Sequence, residues 1–318
     1  MATNRINEII EPAVFAAYVR EKMSEISPLI KSGAVTNSDA LADLASGGGR
    51  TVSMPFWNRI TGDSEVLSPT GALTPTPVVA TSDVAAINYR GKAWSARELA
   101  SAVAGDSAVA AVADMVAEYW AREEQKLLVS ALAGVFGSPT MADHVHGDTS
   151  SPDPLTAAMV LDAKQLLGDA FCKLQAIVMH SAVYTSLQKQ DLITFLRPSE
   201  GAQIAEYLGY NVIVDDTVQF DSNGNVYSTY LLADGIIGRG DGSPVDFTQV
   251  ETCRDGLKGE DYLIFRKALI LHPFGIAFTG DAVSGISPTN EELRNPDNWN
   301  RVYENKNIGM IEIRHTIQ

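Results

Sequence analysis

The sequence predicts a mixed α+β fold organised around one long helix. Three observations lead there: sustained helical periodicity over residues 106–137, short helical and strand patterns alternating over 155–214, and strand-like segments with turn chemistry on either side. With 318 residues, 45% of them hydrophobic and 20% charged, the chain can bury a sizeable core in one elaborated domain or two.

Residues 4–44 carry Ile6, Ile9, Ile10, Val14, Phe15 and Val19 at helical intervals, interrupted by Pro12 and Pro28, which is the pattern of an arm rather than of a core helix. Gly47, Gly48 and Gly49 end it, because a glycine run has no side chains to pack. TVSMPFW and VVATSDVAAINYRGKAW then read as two strands of a long hairpin over residues 51–94, separated by a Gly-, Pro-, Ser- and Thr-rich excursion. A two-stranded hairpin is marginal alone and needs a surface to lie on.

The longest helix signal follows, with Asp106 as a possible N-cap and Gly137 as its stop. Val109, Val112, Val116, Trp120, Leu127, Leu128, Leu132 and Val135 mark one apolar face, and Glu118 stands four residues before Arg122. At 1.5 Å per residue the rod is about 45 Å long. Residues 138–154 read as loop. Beyond them, 155–170 is expected to be helix, 174–179 strand, 181–190 helix, 202–208 helix and 211–214 buried strand. Asp221, Ser222, Asn223 and Gly224 supply a turn before the strand YSTYLLA; GIIGRGDGSP reads as glycine-rich loop and FTQVETCRD as strand. YLIFRKALILHPFGIAFTG gives two strand candidates about Arg266 and Lys267. Ile311, Ile313 and Ile317 alternate with Glu312, Arg314 and Thr316 in a last strand, and these closing strands are expected beside the long helix.

The bulk properties narrow the function. Cys172 and Cys253 alone supply neither a disulfide framework nor a thiolate cluster for zinc. The opening MATNRINEII lacks the apolar core of a signal peptide, and no segment stays apolar for the roughly 20 residues that cross a bilayer, so no membrane partner is expected. A net charge of -15 argues against broad affinity for a phosphate backbone. A container whose acidic lining repels packaged DNA is compatible with that charge.

The order arm, hairpin, long helix, central α/β unit and closing strands, together with the stretches LQAIVMHSAVYTSLQKQDLI, YLGYNVIVDD, CRDGLKGEDYLIFRKALILHPFGIAF and SPTNEELRNPDNWNRVYENKNIGMIEI, resembles the Hong Kong 97-type major capsid proteins of tailed bacteriophages. The resemblance implies an N-terminal arm at 1–49, an extended loop (the E-loop) at 50–94 lying over a neighbouring subunit, and a peripheral domain with the spine helix at 95–151. It further implies an axial domain at 152–260 and closing peripheral strands at 261–318. It implies a homo-oligomer of hexamers and pentamers, an icosahedral virion shell assembled in the host cytoplasm, and enclosed double-stranded DNA held without specific binding. Trp57, Val66, Leu67, Leu73 and Tyr89 are then the candidate inter-subunit contacts. Because the arm begins almost at Met1, a separate scaffolding protein is expected beside the portal; Lys92, at the hairpin base, is a poor candidate for the covalent crosslink of the namesake.

Enzyme chemistry finds little support. His144, His146 and Asp148 form an HxHxD string that a metal-dependent hydrolase could use, but a solvated loop explains it more simply, since no fourth ligand or supporting partner accompanies it. Asp215 and Asp216 read as turn residues, because adjacent strand positions point to opposite faces. Asp221, Asn223 and Asn225 lack the rest of a calcium loop. Gly238, Gly240 and Gly242 lack dinucleotide-binding spacing, and Arg239-Gly240-Asp241 is too short a match to an adhesion tripeptide to carry weight. His180 and His272 read as structural. No catalytic residue, cofactor or metal is therefore assigned. An encapsulin-like compartment, a phage tail or head-decoration protein, and the hydrolase are the alternatives to a phage shell subunit.

Overall fold

The computed structural model describes residues 33–58, 60, 62–65, 73–97, 108–148, 152–196, 204–218, 220–221, 225–245, 247–257, 260–280 and 283–317. The arm pattern of residues 4–32 and the Asp106 cap lie outside that set.

In chain order the elements are β1 (Val35–Asn37), α1 (Asp39–Ser46), β2 (Thr51–Trp57), β3 (Ala80–Ala86), β4 (Asn88–Arg97) and α2 (Ala108–Gly137). Then follow β5 (Val145–His146), α3 (Ala157–Gln165), β6 (Leu174–Met179), α4 (Ser181–Lys189), β7 (Thr194–Leu196), β8 (Ile204–Tyr207), β9 (Tyr210–Val214) and β10 (Phe220–Asp221). The chain closes with β11 (Val226–Ala233), β12 (Ile237–Gly242), β13 (Val250–Asp255), β14 (Glu260–Pro273), β15 (Ile276–Phe278), α5 (Asn290–Arg294), β16 (Trp299–Arg301) and β17 (Met310–His315).

Helix α2 ends at Gly137 as its sequence predicts, and Glu118 and Arg122 pair along it. Its first half sets Val116, Ala117 and Trp120 on Val250, Leu263 and Phe265. Its second half sets Leu128, Leu132 and Phe136 against both large sheets, meeting Val178 and Tyr230 of one and Leu269 and Leu271 of the other. Each such buried side chain contributes roughly 1.5–3 kcal/mol, so the rod is the element that joins the two sheets.

The first large sheet runs β5-β17-β11-β6-β9-β8-β7, with β10 beside β11. Alternation along β6 and β11 places Ala176, Val178, Tyr230 and Leu232 on the α2 side, and Ile177, Met179 and Leu231 on the other, under α3 and α4. Both faces are buried, which is why these strands read as nearly continuous apolar runs. The closing strand β17 lies beside α2, with Met310 in the same cluster as Leu132 and Phe136, and it pairs with β11 over Met310–His315 and with β5 rather than with β14. Backbone ladders carry no sequence label, so a strand's partner is not legible from its own residues.

In the second large sheet β4 occupies one edge of β14, while β12 and β13 share the other. Three expectations change here. VVATSDVAAINYRGKAW is two strands, β3 pairing with β2 and β4 pairing with β14, with the switch at Ile87. GIIGRGDGSP is no flexible loop: Ile237–Gly242 is a strand, and its glycines admit α1. A Cβ on Gly240 would stand 2.5 Å from the Leu41 carbonyl carbon, and one on Gly242 would stand 2.4 Å from Ala45 Cβ. Because α1 packs so closely, residues 34–45 contribute Ala34, Val35, Leu41 and Ala45 to buried clusters.

The third change concerns Arg266 and Lys267, where a break between two strands is expected but β14 runs through. Lys267 is buried and donates to Glu124 of α2 at 2.6 Å; Arg239 of β12 donates twice to the same carboxylate, at 2.9 and 3.0 Å, and to Asn37 Oδ1 at 3.0 Å. Asp241 lies 3.3 Å from Lys267 and 3.7 Å from Arg239, so two cations balance two carboxylates. Burial pushes the Glu124 carboxyl upward in pKa, but Lys267 and Arg239 overcome that and hold it at about 2. The tripeptide Arg239-Gly240-Asp241 is thus an internal ion pair with a helix-packing glycine, not a surface motif.

A further correction falls on residues 202–208. The described part is strand β8, which turns through Leu208 and Gly209, both at positive φ, straight into β9. Two central residues with φ above zero make the hairpin turn that matches strand twist.

Candidate assembly interface

Strands β2 and β3 form a two-stranded sheet of their own, in register from Thr51 opposite Ala86 to Trp57 opposite Ala80. Alternation along β2 turns Val52, Met54 and Phe56 inward and leaves Thr51, Ser53, Pro55 and Trp57 outward. The ribbon continues past the strands: the Asn58 N–H donates to the Val79 carbonyl at 3.0 Å, the Thr81 hydroxyl donates to Asn58 Oδ1 at 3.0 Å, and the Thr74 N–H donates to the Glu65 carboxylate at 3.1 Å.

This projection carries apolar surface that the described residues leave uncovered. Trp57 is 72% exposed and Leu73 61%, and Ile60, Val78 and Val79, which sequence reasoning did not single out, are more than half exposed as well. On one side Phe56, Trp57, Ile60, Pro77 and Val79 face Val302 and Tyr303 across an open groove of about 800 Å³. Buried against a partner, each large side chain is worth roughly 1.5–3 kcal/mol, and a contiguous apolar patch of this kind marks an interaction surface.

Of the five candidate contacts, Trp57 and Leu73 lie on that surface, whereas Val66 and Leu67 fall outside the described residues. Tyr89 turns toward its own chain: its ring sits 5.8 Å from that of Phe247 and its hydroxyl donates to the Gly49 carbonyl at 2.9 Å. The signal missed at Ile60, Val78 and Val79 was present in the sequence as apolar residues within and bordering a Pro- and Thr-rich excursion.

The HxHxD string is a solvated loop only at Gly147 and Asp148. His144 is fully buried, its Nδ1–H donating to the Met310 carbonyl at 2.8 Å, and burial lowers its pKa. His146 pairs with Ile313 in the sheet. Among the described residues no three His, Cys, Asp or Glu side chains gather as a metal site would require. Asp215 and Asp216 are turn and cap residues: the Thr217 N–H donates to Asp215 at 2.8 Å and the Ser181 N–H donates to Asp216 at 3.2 Å. Among the described residues no helix is long and apolar enough to cross a membrane.

Comparison with known proteins assigns the chain its family. The family model described as "Gp13-like: Major capsid protein 13-like" matches residues 83–309. The major capsid protein of Bacillus phage SPP1 is 39% identical over 325 aligned positions, covering 100% of both chains. This chain belongs to the Gp13-like major capsid protein family. Solved structures share the fold at low identity. The capsid of Ralstonia phage GP4 aligns with a TM-score of 0.55 at 9% identity, over 90% of this chain and 88% of that one. The cyanophage Pam1 capsid aligns at 0.53 and 11%, over 99% and 95%. The α+β fold of this major capsid protein is therefore the Hong Kong 97-like one, and its place is the virion shell.

Proposed function

We propose that copies of this major capsid protein close into an icosahedral phage head of hexamers and pentamers by laying the β2–β3 projection of each copy over the next. The observation that carries this reading is the projection itself, a ribbon with Trp57, Ile60, Leu73, Val78 and Val79 exposed and without cover from the described residues. Contacts of this kind are individually weak and gain strength by repetition around closed symmetry. In this reading residues 1–49 act as arm, 50–94 as E-loop, 95–151 and 261–318 as peripheral domain and 152–260 as axial domain. Trp57 and Leu73, with Val66 and Leu67, are the contacts to neighbours.

The role is structural, not catalytic. The cargo is double-stranded DNA enclosed without specific recognition, as a net charge of -15 favours. A separate scaffolding protein and a portal are the other partners, and assembly takes place in the host cytoplasm. Deleting residues 63–76 tests the central step. The shortened chain is expected to fold, with an unchanged far-ultraviolet spectrum, and to yield no closed particles; a normal yield of particles overturns the reading.

A further inference from the structure

The two-stranded sheet of the projection shares no backbone ladder with either large sheet, so its angle to the body is set by its root and by side chains. Its inner face packs Val52 and Ala85 on Ile87, Ala268 and Ile270, an apolar contact that by itself tolerates sliding. One residue of that face breaks the pattern. Asp83, in the middle of β3, is 1% exposed, and a carboxylate there is costly unless it is fully paired.

It is paired, and both partners belong to one turn of the body. His272, at the end of β14, donates through Nε2 to Asp83 Oδ1 at 2.9 Å, and the Gly275 N–H donates to Oδ2 at 2.9 Å. Gly275 adopts φ +90 and is pressed against Tyr303, where a Cβ would stand 2.6 Å from the ring. The Val302 and Tyr303 N–H groups both donate to the Gly275 carbonyl, at 2.9 and 3.1 Å. The Tyr303 ring then meets Phe56 of β2 edge-on, centroids 4.6 Å apart. Contacts therefore run from β3 through Asp83 to Gly275, on to Tyr303, and back to β2 through Phe56.

We propose that Asp83, His272, Gly275 and Tyr303 form a buried clamp that grips both strands of the projection and fixes the angle at which it leaves the body. Directional hydrogen bonds to a single turn select one angle where apolar packing alone would allow several. Asp83 is a positioning residue, and it acts on assembly only through the projection; that consequence rests on the shell reading above, whereas the clamp itself does not.

The clamp is tested on the unassembled full-length chain by hydrogen exchange read peptide by peptide. Asp83→Ala leaves the His272 and Gly275 donors unpaired and is expected to speed exchange of residues 51–57 and 80–86 about ten-fold or more. Residues 174–179 and 226–233 of the other sheet should keep their wild-type rates. Asp83→Asn should restore most of the protection. Its carbonyl still accepts from Gly275, and His272 can accept from the amide by moving its proton to Nδ1, which has no hydrogen-bond partner among the described residues. Should Asp83→Ala fail to fold, Tyr303→Ala removes the other limb at a half-buried position, with the same regional acceleration expected. Wild-type exchange in both hairpin strands overturns the clamp, and so does acceleration spread equally over both sheets. Particle yield is scored separately with the 63–76 deletion, so loss of the shell reading and loss of the clamp are told apart.

Discussion

Lys267 sits among strand residues and has the most buried ammonium-bearing side chain described here, at 2% exposure. It is tolerated because Glu124 and Asp241 surround it, and Glu124 answers to Arg239 as well. Removing one member of such a group leaves a buried charge uncompensated. Glu124→Gln is therefore expected to cost about 3 kcal/mol, read as a lower urea midpoint with unchanged slope. His315 makes the opposite kind of buried site, a neutral imidazole: its Nδ1–H donates to the Thr316 carbonyl at 2.9 Å and its Nε2 accepts from the Thr229 hydroxyl at 2.7 Å. Burial lowers its pKa to about 4 despite the carbonyl bond. The unfolded chain takes up that proton near pH 6.5 and the folded chain only near 4, so stability is whole above 6.5 and falls as the pH drops between the two. Urea titrations should show a loss of about 2 kcal/mol from pH 7 to pH 5, and His315→Gln should remove that part of the slope. None of this was legible beforehand. A lone Lys, Glu or His letter carries no burial information, and the partners Glu124 of Lys267 and Thr229 of His315 lie more than 80 residues away in sequence.

Elements were more legible where periodicity was long. Helix α2, β6, α4, β9 and β11 follow from spacing alone, since each repeats its apolar pattern against a packed face. The failures cluster where glycine was read only as punctuation. In β12 the glycines mark close approach of α1, and in the β8–β9 hairpin Gly209 follows a leucine forced to φ +52. Asparagine tolerates that conformation better than leucine. Leu208→Asn is accordingly expected to raise stability by about 0.5–1 kcal/mol, seen as a higher thermal midpoint, while Gly240→Val should lower it sharply by driving α1 off the sheet.

At the scale of the whole molecule, the order of parts carried the fold. The sequence placed a Gly-, Pro-, Ser- and Thr-rich excursion between two strands, but it could not show that β17 returns to the first sheet, that β4 leaves the hairpin for β14, or that Tyr89 faces home. Those are long-range pairings. What the three scales share is a body held by buried ionic and apolar contacts and a projection on which Trp57 and its neighbours stay exposed. The most direct test is an electron cryo-microscopy map of particles assembled from this chain. The account predicts that Trp57, Ile60 and Leu73 of one copy are buried on an adjacent copy. A map in which they stay solvent-exposed, or fold back onto their own subunit, contradicts it.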